Sequence, residues 1–249
     1  MKSLLVIIIF LSFTVSLAQN TFYKVIYKID VRENIEGKDT FNSKTDDYEV
    51  LRKSTVLLKK VSEARKDLRY VLYANNSKSI YRLVEFLLPD EDKFAYQIAT
   101  ILGGKQGEIY YKNINDNEKF KHTDLLGKQY NVLFPVNQYE WTITTESKII
   151  NGFKCYRAFT KWEEHDYNRD IDIKFTPEAW FTNDIPIPFG PKGIDGLPGL
   201  VLEATFNGKT FFTIDSINSI ELKQDHKYIK KPDAELIEYN EYLKRLVRK

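Results

Sequence analysis

Alternation of apolar and polar positions dominates the chain, and it predicts strands. Over residues 22–30, Tyr23, Val25, Tyr27 and Ile29 fall on one face, the two-residue period of a half-buried strand. Over residues 46–66 the period changes. Val50, Leu57, Val61 and Ala64 recur at helical spacing, with Leu51 and Leu58 beside them and basic residues opposite, so a long amphipathic helix is expected. Strands at 70–73 and 79–86 flank the turn Asn75-Asn76-Ser77, and a short helix over 94–102 ends at Gly103-Gly104. Polar turns then separate strands at 108–112, 119–125 and 128–134. Residues 141–149 and 153–162 bracket Asn151-Gly152, a pair favoured in type I′ hairpins because both central positions need positive φ. A two-residue register there sets Trp141 opposite Trp162, Glu146 opposite Arg157 and Lys148 opposite Cys155. Asn207-Gly208 joins strands 200–206 and 209–214 in the same way. A final helix is expected after Pro232, capped by Asp233, with Glu235 and Glu238 early, Lys244, Arg245, Arg248 and Lys249 late, and Glu241 paired with Arg245.

These elements predict an α+β, β-rich fold: a large curved antiparallel sheet of about nine strands, half-barrel-like, with one long helix and a C-terminal helix. The pattern is similar to the half-barrel of periplasmic lipoprotein carriers, an analogy of fold alone. Composition agrees, since 16 Tyr, 16 Phe and 3 Trp against one Met suit strands better than a helical bundle. With Cys155 as the only cysteine, no intramolecular disulfide is possible and the fold rests on its core. Its place inside a strand predicts a buried, unreactive thiol.

At the N-terminus, Lys2 is the only charge before Lys24, residues 4–13 are apolar but for Ser12, and Ser16-Leu17-Ala18 offers small residues where a signal peptidase reads. Residues 1–18 are therefore expected to be a signal peptide, cleaved before Gln19, with residues 19–249 a single exported, periplasmic domain. No later segment is long and apolar enough to be a transmembrane helix. The 37 basic and 35 acidic residues nearly balance, which leaves no electrostatic footprint for nucleic acid.

Residues 183–199 stand apart, with four of the eight prolines and four of the eleven glycines. Pro186, Pro188, Pro191 and Pro198 stiffen the segment; Gly190, Gly193, Gly196 and Gly199 permit turns; Ile185, Ile187, Phe189, Ile194 and Leu197 make it apolar. It reads first as a structural plug between a strand ending near Phe181 and one opening at Leu200. The alternative is a ligand-binding loop, built on Phe181, Ile187, Phe189, Gly196, Leu197, Pro198 and Gly199. Gly196-Leu197-Pro198-Gly199-Leu200-Val201 resembles the hexapeptide that names the GLPGLI family of bacterial envelope proteins, with Val in place of the last Ile. Ala179-Trp180-Phe181-Thr182, Ile185-Pro186, Gly190-Pro191, Trp141, Glu146, Lys148, Cys155-Tyr156-Arg157-Ala158 and 229–232 also resemble family motifs. The resemblance is clear from Trp141 to Glu203, while the helix at 46–66 departs from it. It implies an exported β-rich protein of unassigned function, with no established catalytic role for the motif residues.

Catalytic constellations are missing from the sequence. His122, His165 and His226 are far apart, no Ser lies in a Gly-x-Ser-x-Gly elbow, and no Gly-rich phosphate loop is present. Glu163-Glu164-His165-Asp166, with Asp170 and Asp172, has oxygen and imidazole donors for a divalent cation, but it lies between strands where charges are normally solvated. No catalytic residue, metal or cofactor is therefore expected. The leading expectation is a non-catalytic binding or carrier module for an apolar small molecule; the alternative is an accessory protein whose partner is an outer-membrane assembly. An internal cavity favours the first and a filled core with an exposed apolar loop the second, and the 46–66 helix itself could fill the concavity.

Overall fold

The computed structural model describes residues 21–32, 48–86, 92–220 and 228–247. The expected signal peptide, its cleavage site, Asp46 and His226 lie outside them. The described residues run β1 (Phe22–Val31), α1 (Tyr48–Asp67), β2 (Tyr70–Ala74), β3 (Lys78–Leu83), α2 (Lys93–Thr100), β4 (Ile109–Asn113), β5 (Glu118–Leu125) and β6 (Lys128–Leu133). They continue with β7 (Thr142–Ile150), β8 (Phe153–Phe159), β9 (Trp162–Asp166), β10 (Ile171–Phe175), β11 (Glu178–Thr182), β12 (Leu200–Thr205), β13 (Thr210–Ile220), β14 (Glu235–Glu238) and α3 (Tyr239–Leu246). Twelve strands form one sheet in the order β14-β6-β5-β4-β3-β2-β1-β13-β12-β11-β8-β7, and β9 and β10 form a separate hairpin. The fold is α+β and β-rich, as expected, with more strands than expected and one parallel pair, β14 with β6.

Chain connectivity forces this sheet to curl. In its order β6 and β7 are ten strand spacings apart, about 48 Å if the sheet were flat. Residues 134–141 join them, and so short a segment reaches only about 30 Å when fully extended. The two ends of the sheet must therefore approach each other. Alternation along the strands separates the two faces. The inner face buries Val25, Tyr27 and Ile29 of β1, Leu72 of β2, Tyr81 of β3 and Phe212 and Ile214 of β13. The outer face buries Phe22, Val71, Tyr73 and Ile80 beneath Tyr228 and Ile229.

Helix α1 packs Val61 and Ala64 into the inner cluster, with Leu57 part-buried beside them and Leu68 buried just after the helix, while Leu58 is exposed. It thus covers part of the inner face without filling it. Gly103, after α2, is required by close approach: a Cβ there would lie 2.2 Å from the Tyr70 ring.

Three expectations need correction. The C-terminal helix does not start at Asp233. Glu235–Glu238 instead add a parallel strand to the open edge of β6, burying Ile237 against Tyr130 and Val132, and the helix begins at Tyr239. The Glu241–Arg245 pair within it forms, at 3.0 Å. In the β7–β8 hairpin Lys148 faces Cys155, and Asn151 and Gly152 take φ of 47° and 84°, but a bulge between Ile143 and Ser147 shifts the register. Trp141 therefore no longer faces Trp162, while Glu146 still reaches Arg157 at 2.8 Å. The turn at Asn207-Gly208 is longer than two residues, held by Thr205 Oγ1 accepting from the Gly208 N–H at 2.9 Å and Asn207 Oδ1 accepting from the Thr210 N–H at 2.9 Å.

Candidate functional site

The curled sheet leaves a cavity of about 410 Å³ on its inner face. Its floor is β3 to β5, where strand alternation places Tyr81, Tyr110, Lys112, Lys119 and Lys121 on one side. Its roof has three parts. The β9–β10 hairpin contributes Trp162, Glu164 and Phe175; the Pro/Gly segment contributes Phe189, Gly190, Lys192, Gly193, Ile194 and Asp195; and α3 contributes Tyr239, Tyr242, Leu243 and Leu246. Leu102, Phe206 and Phe212 complete an aromatic-rich wall. Among the described residues, none of α1 lines it.

The Pro/Gly segment is anchored at both ends and in the middle. Leu200 N–H donates to Ile185 O at 2.9 Å, Gly196 N–H to Pro188 O at 3.1 Å and Val201 N–H to Phe189 O at 3.1 Å. Between these bonds Asp195 is almost wholly buried. Its carbonyl accepts from Trp141 Nε1 at 2.7 Å, and its carboxylate lies 2.9 Å from Lys112 Nζ and 2.8 Å from Lys119 Nζ. Lys112 also donates to Val136 O at 2.7 Å. Lys119 Nζ is close to Asp195 but forms no well-aligned hydrogen bond; its other neighbour is the Tyr139 ring, 4.8 Å away. Burial is the main reason its pKa falls to about 8, with Asp195 opposing the shift and Lys112 adding to it.

Lys192 sits in a single 3-10 turn, Pro191–Gly193, at a positive φ of 51°. Its ammonium donates to Leu102 O at 2.7 Å and faces the Phe206 and Phe212 rings. Burial first, and Lys121 second, lower its pKa to about 8, against Glu108 and Glu164. Lys121 itself lies 4.9 Å from the Tyr242 ring centre. Glu164 accepts a hydrogen bond from the Tyr239 hydroxyl, which ties the hairpin to α3. Tyr81, only 1% exposed, has a hydroxyl without a hydrogen-bond partner among the described residues.

Of the seven residues singled out in the Pro/Gly region, Phe189 lines the cavity. Phe181 and Leu197 are buried in an adjoining cluster with Ala158, Ala179, Ile194, Val201 and Ala204. Ile187 is buried in the main core, Gly196 and Pro198 are exposed, and Gly199 is buried. The sequence reading passed over Lys192 and Asp195, although they are the only charges between Ile185 and Gly199. Two charges inside an apolar, proline-rich run were the available signal. Lys119 and Lys121 lie in a predicted strand that the sequence does not single out; the fold buries Lys119 and half-buries Lys121.

The acidic stretch is the β9–β10 hairpin itself, and its charges are paired. Glu163 lies 3.2 Å from Lys174, Asp166 2.7 Å from Arg169, and His165 Nδ1 2.8 Å from Asp172. That hydrogen bond to Asp172 is the main cause raising the His165 pKa. Among the described residues no group of three or more His, Cys, Asp or Glu is placed to hold a metal ion. Cys155 is fully buried away from the cavity, and burial pushes its pKa up to about 11.

A sequence profile for proteins of unknown function, Porph_ging, matches residues 160–203. The matched description is Porph_ging and not GLPGLI. The matched stretch holds both the hairpin and the Pro/Gly segment, two of the three parts of the roof. No curated protein sequence matches the chain. Among solved structures, PNGF-II is similar in its C2 and P21 crystal forms, with TM-scores of 0.50 and 0.52 at 16% and 15% identity. The similarity covers 90% and 91% of this chain but 32% and 33% of PNGF-II, so the chain spans about a third of that protein's length. At this identity the likeness is one of fold.

The remaining motif residues assemble a cross-strand ladder on the sheet. Arg157 bridges Glu146 and Glu178 at 2.8 Å each, Lys148 lies over the Trp180 ring at 4.2 Å, and Glu203 accepts from Lys148 and Arg32 at 2.6 Å each. Burial alone would raise the Glu203 pKa, but hydrogen bonds from Arg32 and Lys148 hold it below the usual range. The ladder registers β7, β8, β11 and β12 against one another, which is a structural role.

Proposed function

We propose that this chain is a non-catalytic binding or carrier module that takes an apolar ligand into the cavity of the curled sheet. The observation that carries this reading is the cavity itself, whose size lies within the range of about 300–1,000 Å³ common to small-molecule sites. Its walls are mostly aromatic and aliphatic, with charged and polar groups set among them, and small-molecule sites combine an apolar lining with placed polar groups. Cys155 and His165 lie off the cavity wall. The proposal includes export to the periplasm through residues 1–18, and membership of the GLPGLI family through Gly196–Val201. N-terminal sequencing of the envelope fraction tests export; the expected first residue is Gln19.

Binding is tested by titrating the purified protein with oleyl alcohol while following tryptophan emission, since Trp162 lines the site. Saturable binding is expected, and Leu102→Trp and Leu243→Trp, which fill the cavity from opposite walls, should abolish it. A protein that shows no saturable response, or variants that bind as well as the parent, would end the cavity reading. The accessory-protein reading draws on a different feature, the exposed Ile143 and Ile149 of edge strand β7.

A further inference from the structure

The charges of the cavity do not balance. Four lysines, Lys112, Lys119, Lys121 and Lys192, line it with two carboxylates, Asp195 and Glu164. Asp195 is paired with Lys112 and Lys119, while Glu164 accepts from the Tyr239 hydroxyl and, like Glu108, acts on Lys192 only from a distance. That leaves Lys121 and Lys192 without an ion pair among the described residues. Lys192 offers one hydrogen bond to a backbone carbonyl, and Lys121 faces a ring. They are close enough for each charge to act on the other. An ammonium group in an apolar enclosure is costly without a counter-ion, and a second one beside it raises the cost. The buried hydroxyl of Tyr81 is a further unused polar group in the same floor. Around these groups the walls are apolar: Leu102, Phe189, Phe206 and Phe212.

Resting on the reading of the cavity as a ligand site, we propose that its occupant is an anionic amphiphile. Its carboxylate or phosphate head sits between Lys121 and Lys192, and its apolar chain lies along the aromatic wall. The head supplies the missing counter-charge. The chain displaces water from a surface whose transfer contributes about 25 cal/mol per Å². The pKa of Lys192, lowered by burial first and Lys121 second against the more distant Glu108 and Glu164, fits a cation with no carboxylate in contact.

Three probes with one shared tail test this: oleate, oleyl phosphate and oleyl alcohol, each titrated below its aggregation threshold. At pH 7 one or both anions should bind about tenfold or more tighter than the alcohol, the worth of one charge-assisted hydrogen bond. The tighter anion identifies the head as carboxylate or phosphate. Lys192→Met and Lys121→Met should each remove most of that preference and leave alcohol affinity within about twofold. Both sites lie outside the buried Asp195 triad, and circular dichroism confirms that the variants fold. Equal binding of alcohol and both anions, or anion affinity indifferent to both substitutions, would overturn the anionic-head proposal while leaving the cavity reading intact. Failure of all three probes would overturn both.

Discussion

Gly199 and Gly196 show how two glycines in one motif serve different needs. Gly196 takes φ of +86°, where an L-residue is strained, yet a Cβ there would meet nothing nearer than 3.8 Å. Gly199 needs no special φ; a Cβ there would lie 1.9 Å from the Thr182 carbonyl oxygen, so backbone must move. Gly196→Ala should therefore cost about 1 kcal/mol, and Gly199→Ala on the order of 3 kcal/mol, as read by urea denaturation. Equal, small losses would show that the segment adjusts freely. Asp195 is the other residue on which the segment depends. Asp195→Asn strands Lys112 and Lys119 and should cost about 3–5 kcal/mol, whereas joining Lys112→Met, Lys119→Met and Asp195→Leu should recover most of it, because a buried ion cluster is easier to replace whole than to break. Lys192 carries the pH dependence. Its pKa of about 8 lies below the ordinary lysine value, through burial first and Lys121 second, with Glu108 and Glu164 opposing. An anion prefers the protonated form, so oleate affinity should hold from pH 6 to 7 and fall as pH rises through about 8, while oleyl alcohol affinity stays level. Titrations across that range check it. These roles were only partly legible beforehand: the glycines announce a constrained segment, but whether φ or a neighbouring carbonyl constrains each one depends on a strand distant in sequence.

At the scale of elements, strands were legible wherever alternation was clean. β1, β2, β5 and the turn at Asn151-Gly152 fall where their patterns put them, while β3 ends at Leu83, short of the expected 86, and a bulge shifts the register of the hairpin beyond its turn. Failures occurred where tertiary contact outweighed local preference. Glu235–Glu238 has helix-favouring acids, yet an open edge on β6 and burial of Ile237 draw it into a parallel strand. The charged stretch 163–172 looks like a solvated connection between strands, yet Glu163–Lys174 and His165–Asp172 are cross-strand pairs of a hairpin that opens at Trp162, which the sequence pattern assigns to the preceding strand. A two-stranded hairpin alone is marginal, so this roof depends on what it touches. Trp162 packs near Tyr139 and Tyr239, at ring separations of 6.4 and 6.3 Å, and Glu164 is held by the Tyr239 hydroxyl. Tyr239→Phe removes that hydrogen bond but keeps the rings. Amide exchange across β9 and β10 should quicken severalfold while exchange in β1 and β13 is unchanged; uniform exchange would mean that the hairpin opens only with the whole fold.

For the whole molecule, the decisive fact is that an open twelve-stranded sheet is made to curl by a short link between β6 and β7, far apart in its order. No local pattern announces that strand order, which is why curvature and a concavity could be expected from the sequence but its roof, and the lysines facing into it, could not. The same curvature makes ligand and fold thermodynamic partners. The floor comes from β3 to β5, the roof from the hairpin, the Pro/Gly segment and α3, so unfolding dismantles the site completely. A ligand that binds the folded chain alone adds RT ln(1 + [L]/Kd), about 2.7 kcal/mol at a hundredfold excess over Kd. For a chain of this size each kcal/mol moves the midpoint by about 2–4 °C, so saturating oleate should raise Tm by roughly 5–10 °C. Leu102→Trp should melt with no oleate response, and Lys192→Met should respond about equally to oleate and oleyl alcohol at equal concentration. Differential scanning calorimetry of the three proteins with each lipid reads all of these shifts. A rise that persists in Leu102→Trp would place the lipid on the outer surface, and the curled sheet would then owe its shape to packing alone.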